Sequence, residues 1–124
     1  MRTAVQDSGD AAETLVATTL ASAGWRILAR NLRVGRGELD IVAIDPGPPR
    51  ELVIVEVRWR SRRDFGLADE SLDHGKRAHL RASIGRLLAD GLPDGVPLPR
   101  LPFRVDLVVV EPGDRFRHHR HVAL

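Results

Sequence analysis

The sequence predicts an α/β fold in which a mixed β-sheet is flanked by helices. Three observations lead to this prediction: apolar residues recur at helical spacing in two segments, dense runs of valine, isoleucine and leucine predict buried strands, and proline- or glycine-rich stretches separate these elements. The predicted elements follow the order α-β-β-β-α-β-β. A hairpin-rich first half and a helical crossover into a buried strand favour a mixed sheet with helices packed on it.

The first half of the chain is predicted to form one helix and three strands. Apolar residues at i, i+3 and i+4 predict a helix from about Gly9 to Ala23, with Asp10 as a candidate N-cap and Gly24 at its end. The segment DPGPP is predicted to be the loop of a hairpin, because strand-like runs flank it. The three predicted strands span 25–33, 38–44 and 51–60, and the turn before the second covers 35–37.

The second half is predicted to contain one helix and two strands. After a polar loop at 61–66, a second helix is expected from about Asp69 to Asp90. Its apolar stripe is formed by Leu80, Ile84, Leu87 and Leu88. The proline-rich segment 91–102 is expected to be irregular, a buried strand is expected at 103–110, and an edge strand at 116–124. We expect residues 1–124 to form one domain, with about the first eight residues flexible.

The composition excludes several kinds of chemistry. Because the chain has no cysteine, it contains no disulfide, zinc-thiolate site or cysteine nucleophile. No apolar run approaches the roughly 20 residues of a membrane span, and the first residues lack the apolar segment of a signal peptide. A cytoplasmic protein without a membrane partner is therefore the default expectation. The pI of about 10.3 exceeds what the net charge of +2 suggests, because nearly all the basic residues are arginines.

Arginine is concentrated in two short segments. Clustered arginines suit contacts with phosphate groups, and they are also typical of a solvated face in an arginine-rich proteome. The two clusters consist of Arg26, Arg30, Arg33 and Arg36, and of Arg58, Arg60, Arg62 and Arg63.

Two acidic residues lie within the predicted central strands. Since side chains alternate between the faces of a strand, Asp40 shares a face with Glu38, Val42 and Ile44, and Glu56 shares a face with Ile54. If the strands are neighbours, Asp40 and Glu56 can point to the same side. Two interpretations stay open: ion pairs with arginine, or a Mg²⁺ site that relieves the repulsion between like charges.

Glu13 in the first helix also has two interpretations. Asp10 and Glu13 have the spacing of a capping box, so Glu13 can bond back to the start of the helix. Because Glu13 borders the apolar stripe, its side chain can alternatively lean over the sheet towards Asp40.

Five segments in a fixed order resemble the YraN family. They are GDAAETLVATTLASAGWRILARNLR, GELDIVAID, LVIVEVRWR, FGLADESLDHGKRAHL and FRVDLVVV, and together they cover nearly the whole chain. The family is similar to the Holliday-junction-resolvase branch of the restriction-endonuclease-like superfamily, whose members carry the PD-(D/E)xK motif. The resemblance therefore implies a restriction-endonuclease-like fold and a metal-dependent endonuclease that acts on DNA.

The resemblance also implies roles for individual residues. Asp40 and Glu56 match the acidic metal ligands of the motif, and the main-chain carbonyl of Val57 would be a third ligand. Glu13 matches the helix glutamate of resolvase-like members and is a further candidate ligand for Mg²⁺ or Mn²⁺. Arg104 and Asp106 match a strand signature, FRVD, of the family. The candidate nucleic-acid contacts are Arg36, Arg60, Arg62, Arg63 and Lys76.

Arg58 departs from the motif, because it stands at the position of the motif lysine. Arginine can stabilise negative charge in a bidentate manner, but it cannot act as a general base. The chain has a single lysine, Lys76, so replacement of lysine by arginine without loss of function is one explanation, and loss of catalysis is the other.

Three functions therefore stay open. The leading hypothesis is a nuclease that acts on DNA, branched or damaged DNA included, with Glu13, Asp40, Glu56 and Arg58 as its catalytic residues. The second is a nucleic-acid-binding module of the same fold without turnover, and the third is a structural or partner-binding protein. DNA is favoured over RNA, and the resolvase resemblance makes a homodimer a candidate assembly. We interpret His118, His119 and His121 as a solvated tail or a phosphate-contacting edge.

Overall fold

The computed structural model describes residues 4–60 and 74–124, with side chains described from residue 9 onward. Two helices and five strands follow one another in the order α-β-β-β-α-β-β, which confirms the predicted fold class. Their bounds are α1 (Ala4–Ser22), β1 (Arg26–Val34), β2 (Gly37–Asp45), β3 (Glu51–Trp59), α2 (His74–Asp90), β4 (Phe103–Glu111) and β5 (Arg115–His119).

The five strands form one mixed sheet in the order β1-β2-β3-β4-β5. β1, β2 and β3 are antiparallel neighbours, and so are β4 and β5. β3 and β4 are parallel, because α2 lies between them in the chain and returns it to the starting edge. A mixed sheet with a helix on each face agrees with the restriction-endonuclease-like fold that the resemblance implies.

Each helix covers one face of the sheet with its own apolar cluster. On one face, Val16 and Leu20 of α1 pack with Val53 and Val55 of β3. On the other face, the buried side of α2 packs against the alternate residues of the central strands, among them Leu52 and Ile54. β3 is thus buried on both sides, as its continuous apolar run predicts. No helix in the described parts of the chain is both long and apolar enough to cross a membrane.

α1 differs from its predicted form at its start and agrees with it at its end. The helix begins at Ala4, so the prediction that Asp10 caps it is wrong: Asp10 lies inside the helix. At the other end, Gly24 adopts a φ of 94°, the Gly24 N–H donates to Ala21 O at 3.0 Å, and the Trp25 N–H donates to Leu20 O at 3.0 Å. This pattern is a Schellman motif, which favours glycine because the left-handed conformation is accessible to it.

α2 is described from His74, so the predicted helical residues 69–73, like the predicted loop 61–66, lie outside the described residues. Leu80, Ile84 and Leu87 are buried as predicted. Leu88 is not part of the buried stripe, since it is 45% exposed. The reason is geometric: Leu88 follows Leu87 by one residue, a rotation of about 100° around the helix axis.

The C-terminal segment is shorter as a strand than predicted. β5 ends at His119, so the prediction of a strand up to residue 124 is wrong, and His121, with a φ of 55°, lies beyond the strand. His118 is only partly exposed, and its Nε2 lies 2.8 Å from Oδ2 of Asp106. The Val122 N–H donates to Val105 O at 2.8 Å, which holds the segment after β5 against β4.

A buried ion-pair network lies where β2 ends and β3 and β4 begin. The Arg104 side chain is only 3% exposed and donates to Asp45, Glu51 and Asp106 at 2.7–3.2 Å. Its guanidinium carbon lies 5.5 Å from the centre of the Trp25 ring. Burial raises the pKa of Asp106, but the hydrogen bonds from His118 and Arg104 outweigh it and lower the pKa below its usual value.

We predict that Arg104→Ala lowers the free energy of unfolding by about 3–5 kcal/mol, because it leaves three carboxylates near one another without their shared cation. Urea denaturation at neutral pH measures this change. The matched control is Arg100→Ala, an exposed arginine, for which we expect a change within about 0.5 kcal/mol. Equal effects of the two substitutions would mean that the network contributes nothing to stability.

Candidate active site

The candidate active site lies where the ladder between β2 and β3 ends. The backbone register of these strands runs from the pair Asp45–Glu51 to the pair Ile41–Val55. The next residue on each strand is acidic: Asp40 on β2 and Glu56 on β3. The structure therefore brings together the two residues that strand alternation predicts to converge.

Each of the two carboxylates bonds to the backbone of the opposite strand. The Asp40 N–H donates to Oε2 of Glu56 at 3.2 Å, and the Val57 N–H donates to Oδ2 of Asp40 at 2.8 Å. Side-chain oxygens thus take over the acceptor role that backbone carbonyls play in a regular ladder. The second oxygen of each carboxylate is not part of this reciprocal pair.

The strand alternation predicted for β2 is interrupted at the same level. Leu39 and Val42 both belong to the cluster under α2, whereas Ile41 belongs to the cluster under α1. The neighbouring strand β1 carries Asn31 with a φ of 50°, between the paired residues Arg30 and Leu32. The prediction that Glu38, Asp40, Val42 and Ile44 form one regular face is therefore wrong on the N-terminal side of Ile41, where β2 no longer pairs with β3 but still pairs with β1.

Burial of these carboxyl groups disfavours their charged forms. Glu56 is 2% exposed, and burial, followed by the charge of Asp40, raises its pKa to about 8. Burial also raises the pKa of Asp40, although the Val57 N–H and the charge of Lys76 oppose the shift. At neutral pH the Glu56 carboxyl therefore tends to keep its proton.

Glu13 approaches this pair from α1. It is 6% exposed, and burial, followed by the charge of Asp40, raises its pKa to about 7. Its Oε1 is buried and accepts no hydrogen bond, while Nε of Arg30 lies 3.8 Å away. Arg30 also donates to Oγ1 of Thr14 at 2.9 Å. The capping-box interpretation of Glu13 is wrong, because the helix begins nine residues earlier, at Ala4.

Four of the six basic residues predicted for the site lie in the described parts of the chain. Lys76, in the first turn of α2, and Arg58, in β3, are half-buried, and the charge of each lowers the pKa of both Asp40 and Glu56. Arg36 is exposed in the β1–β2 turn. Arg60 follows β3, and its N–H donates to Val110 O at 2.9 Å. Arg62 and Arg63 lie outside the described residues.

The residues present fit a hard divalent cation. Magnesium is commonly held by one or two carboxylates, with water and phosphate completing its coordination, and it needs no cage made of protein alone. In the parts of the chain that the structure describes, no group of three or more His, Asp or Glu side chains is placed to hold a metal ion, so water and phosphate would have to complete the coordination around the acidic pair. Burial, the first cause of the raised pKa values of Asp40 and Glu56, disfavours their charged forms, and Oε1 of Glu13 accepts no hydrogen bond, so a bound cation would stabilise these carboxylates.

Sequence reasoning missed the specific position of Arg30. The sequence places it in an arginine cluster assigned as a whole to phosphate contacts or to solvent, whereas the structure places it beside Glu13. In the sequence, only the alternation of side chains along β1 bears on the position of Arg30, and that alternation does not show which strand lies under α1.

We predict that Glu56→Gln stabilises the metal-free protein at alkaline pH. Below pH 4.5 the Glu56 carboxyl is protonated in the folded and in the unfolded protein, so Glu and Gln behave alike there. As pH rises towards about 8, the wild type loses stability because its folded state resists ionisation, and the Gln variant is spared this loss. Melting temperatures measured in a chelator from pH 5 to 9 are expected to diverge in favour of the variant.

The matched control for this prediction is Asp94→Asn, which removes an exposed carboxylate in the loop after α2. We expect its difference from the wild type to be small and constant over the same range. A Glu56→Gln difference that is also constant with pH would contradict the raised pKa.

Comparisons with known proteins show the family to which the chain belongs. The model of the "Uncharacterised protein family UPF0102" matches residues 12–110, which include Glu13, Asp40 and Glu56. A UPF0102 protein of Roseiflexus castenholzii is 44% identical over 108 residues, which cover 86% of this chain and 81% of that protein. One of Carboxydothermus hydrogenoformans is 34% identical over 120 residues, 94% of this chain and 95% of that protein. The chain belongs to the family UPF0102, which is the YraN family.

Proposed function

We propose that this protein is a metal-dependent endonuclease that hydrolyses phosphodiester bonds of DNA, with branched or damaged DNA as candidate substrates. The observation that carries the proposal is the reciprocal bonding of Asp40 and Glu56 at the end of the β2–β3 ladder. Two buried acidic groups held side by side cost stability, as their raised pKa values indicate, and a metal-binding function accounts for that cost.

Three protein groups would hold the metal. Carboxylate oxygens of Asp40 and Glu56 and the main-chain carbonyl of Val57 are the proposed ligands of Mg²⁺ or Mn²⁺, and Glu13 is a further candidate. When bound, the ion would neutralise these carboxylates and offset the negative charge that develops on the phosphoryl oxygens.

The remaining residues have roles in proton transfer and charge stabilisation. If Glu13 is not a ligand of the ion, its pKa of about 7 in the metal-free protein lets its carboxylate accept a proton near neutral pH, which suits a general base for the attacking water. Arg58 can donate two charge-assisted hydrogen bonds to phosphate oxygens. Lys76 adds a positive charge from the α2 side of the site.

We predict that the wild type cleaves at least one member of a labelled panel in Mg²⁺ or Mn²⁺, and that Asp40→Asn reduces cleavage by roughly 100-fold or more. Metal coordination is worth several kcal/mol in the transition state, and each 1.4 kcal/mol is about tenfold in rate. The panel contains duplex, single-stranded, flap and four-way-junction DNA, and RNA. Asp94→Asn, which makes the same chemical change in an exposed loop, is expected to keep full activity and excludes a contaminating nuclease.

Two results would contradict this proposal. Cleavage that persists in Asp40→Asn would not come from this site. If no substrate is cleaved, and neither Mn²⁺ nor Ca²⁺ raises the melting temperature of the wild type, the acidic cluster is structural.

Arg58 favours a second candidate, a nucleic-acid-binding module of the same fold that has lost turnover. A guanidinium stays protonated near neutral pH and therefore cannot accept a proton from the attacking water. This candidate implies salt-sensitive binding without cleavage in either metal.

If the second candidate is correct, we predict that Arg58→Lys introduces Mn²⁺-dependent cleavage into an inactive protein. The gain is expected because lysine restores the motif without changing the charge. Arg60→Lys, the same substitution two residues further on, is the matched control and is expected to stay inactive. Gel assays on the same panel measure the change, and the double variant Arg58→Lys/Asp40→Asn should lose the activity again. An Arg58→Lys protein that still only binds would show that Arg58 is not what limits turnover.

A further inference from the structure

A cleft of about 540 Å³ separates the β1–β2 turn from one side of α2. We call it the turn cleft. It lies on the face of the sheet that α2 covers, and the candidate active site does not include it. Its main lining residues are Gly35, Arg36 and Gly37 of the turn, and His79, Ser83 and Arg86 of α2.

Close packing of small residues forms the floor of the turn cleft. A Cβ atom at Gly37 would collide with Oγ of Ser83, so only glycine allows the helix to approach the turn this closely. Oγ of Ser83 donates to Val34 O at 3.3 Å, and this bond holds α2 against the end of β1, next to the turn. The floor therefore consists of backbone and short side chains, and longer cationic side chains stand around it.

Arg86 reaches across the turn cleft from the helix. Its Cδ lies 3.6 Å from the position that a Cβ atom of Gly35 would occupy, so its side chain passes over the turn. Its Nε lies 3.6 Å from Asp90, but both side chains are 67% exposed, and such a pair is weak and easily exchanged. Arg36 is exposed on the opposite wall. The two guanidinium groups can thus reach one ligand from two sides.

The turn cleft continues towards the acidic residues. A second cavity of about 310 Å³ shares Gly37, His79 and Ser83 with it and is also lined by Glu38 and Lys76. Glu38 precedes Asp40 by two residues in β2, and the charges of Glu38 and Lys76 both act on the Asp40 carboxyl. The two cavities therefore adjoin one another, and a strand that follows both would pass beside residues whose charges act on Asp40.

The lining of this path suits an anionic backbone more than a stacked base. Among the described residues that line the two cavities, Glu38 is the one carboxylate, His79 is the one aromatic ring, and there is no Phe, Tyr or Trp. Stacking of bases depends on aromatic side chains, whereas contacts to phosphate depend on arginine, lysine, hydroxyls and backbone N–H groups.

We propose that the turn cleft binds the sugar-phosphate backbone of a nucleic-acid strand and leads it to the acidic residues Asp40 and Glu56. The inference rests on the proposed function for what happens at the end of the path, but binding in the turn cleft requires no turnover. Because phosphate contacts carry no sequence information, binding is independent of base sequence and strongly dependent on salt.

The test is binding of labelled DNA and RNA strands of equal length and scrambled sequence, measured by fluorescence anisotropy in a chelator so that no strand is cut. For Arg36→Ala/Arg86→Ala we expect the Kd to rise about tenfold or more. We also expect the slope of log K against log salt to fall by roughly two, about one for each lost phosphate contact. DNA and RNA should weaken by the same factor, since both present the same phosphodiesters.

The matched control is Arg26→Ala/Arg100→Ala, which makes the same change in net charge with two exposed arginines. Arg26 pairs with Ile44 in the sheet, at the end of β2 away from Asp40. Equal losses in the two double variants would reduce the effect to general electrostatics and overturn the proposal. Three other results would overturn it: no binding by the wild type at low salt, a loss confined to DNA or to RNA, or equally good competition by polyglutamate, which would indicate an acidic peptide.

Failure of this inference and failure of the proposed function give different results. If the wild type cleaves DNA and Arg36→Ala/Arg86→Ala binds and cleaves equally well, the turn cleft does not bind the strand, but the proposed nuclease function is still supported. If no substrate is cleaved and binding still depends on Arg36 and Arg86, the turn cleft binds nucleic acid, and the proposed nuclease function is wrong.

Discussion

The candidate site depends on the point at which β2 and β3 stop pairing through their backbones. The N–H groups of Asp40 and Val57 lie in a part-buried region, where a donor without a partner costs free energy. Each is bonded to a carboxylate of the opposite strand, so backbone geometry determines where both acidic groups lie. The two carboxyl groups cannot move apart unless these bonds break, and the repulsion between them is thereby built into the fold.

Two aspartates towards opposite ends of the β2–β3 hairpin have pKa values that are shifted in opposite directions. Asp40 and Asp45 are five residues apart in one strand. Asp45 bonds to Arg104 and to the Gly47 N–H, and although burial opposes them, these contacts lower its pKa. Burial raises the pKa of Asp40. A network that lowers the pKa of its carboxyl groups is typical of a structural role, whereas acidic groups whose pKa values are raised are typical of a site that acts on a ligand.

α2 connects the core to both candidate binding regions. Its buried residues Leu80, Ile84 and Leu87 pack against the sheet, while Lys76 lies beside the acidic groups and Ser83 is bonded to Val34 at the end of β1. Because these residues belong to one helix, the packing that stabilises the fold also sets the relative positions of the turn cleft and the acidic groups.

The sequence by itself determined the order of elements and the double-sided burial of β3, because these features follow from periodicity and from pairing between adjacent segments. It made Asp40 and Glu56 candidates for convergence, and the pairing of β2 with β3 and the hydrogen bonds at the end of their ladder decided it. Tertiary structure alone decided the partners of single polar side chains: Glu13 faces Arg30 rather than the start of its helix, and His118 bonds to Asp106. It also decided where β5 ends and which residues line the turn cleft. Local spacing shows which face a residue occupies, but it does not show which distant residue lies opposite. The role of a buried polar group depends on that distant partner.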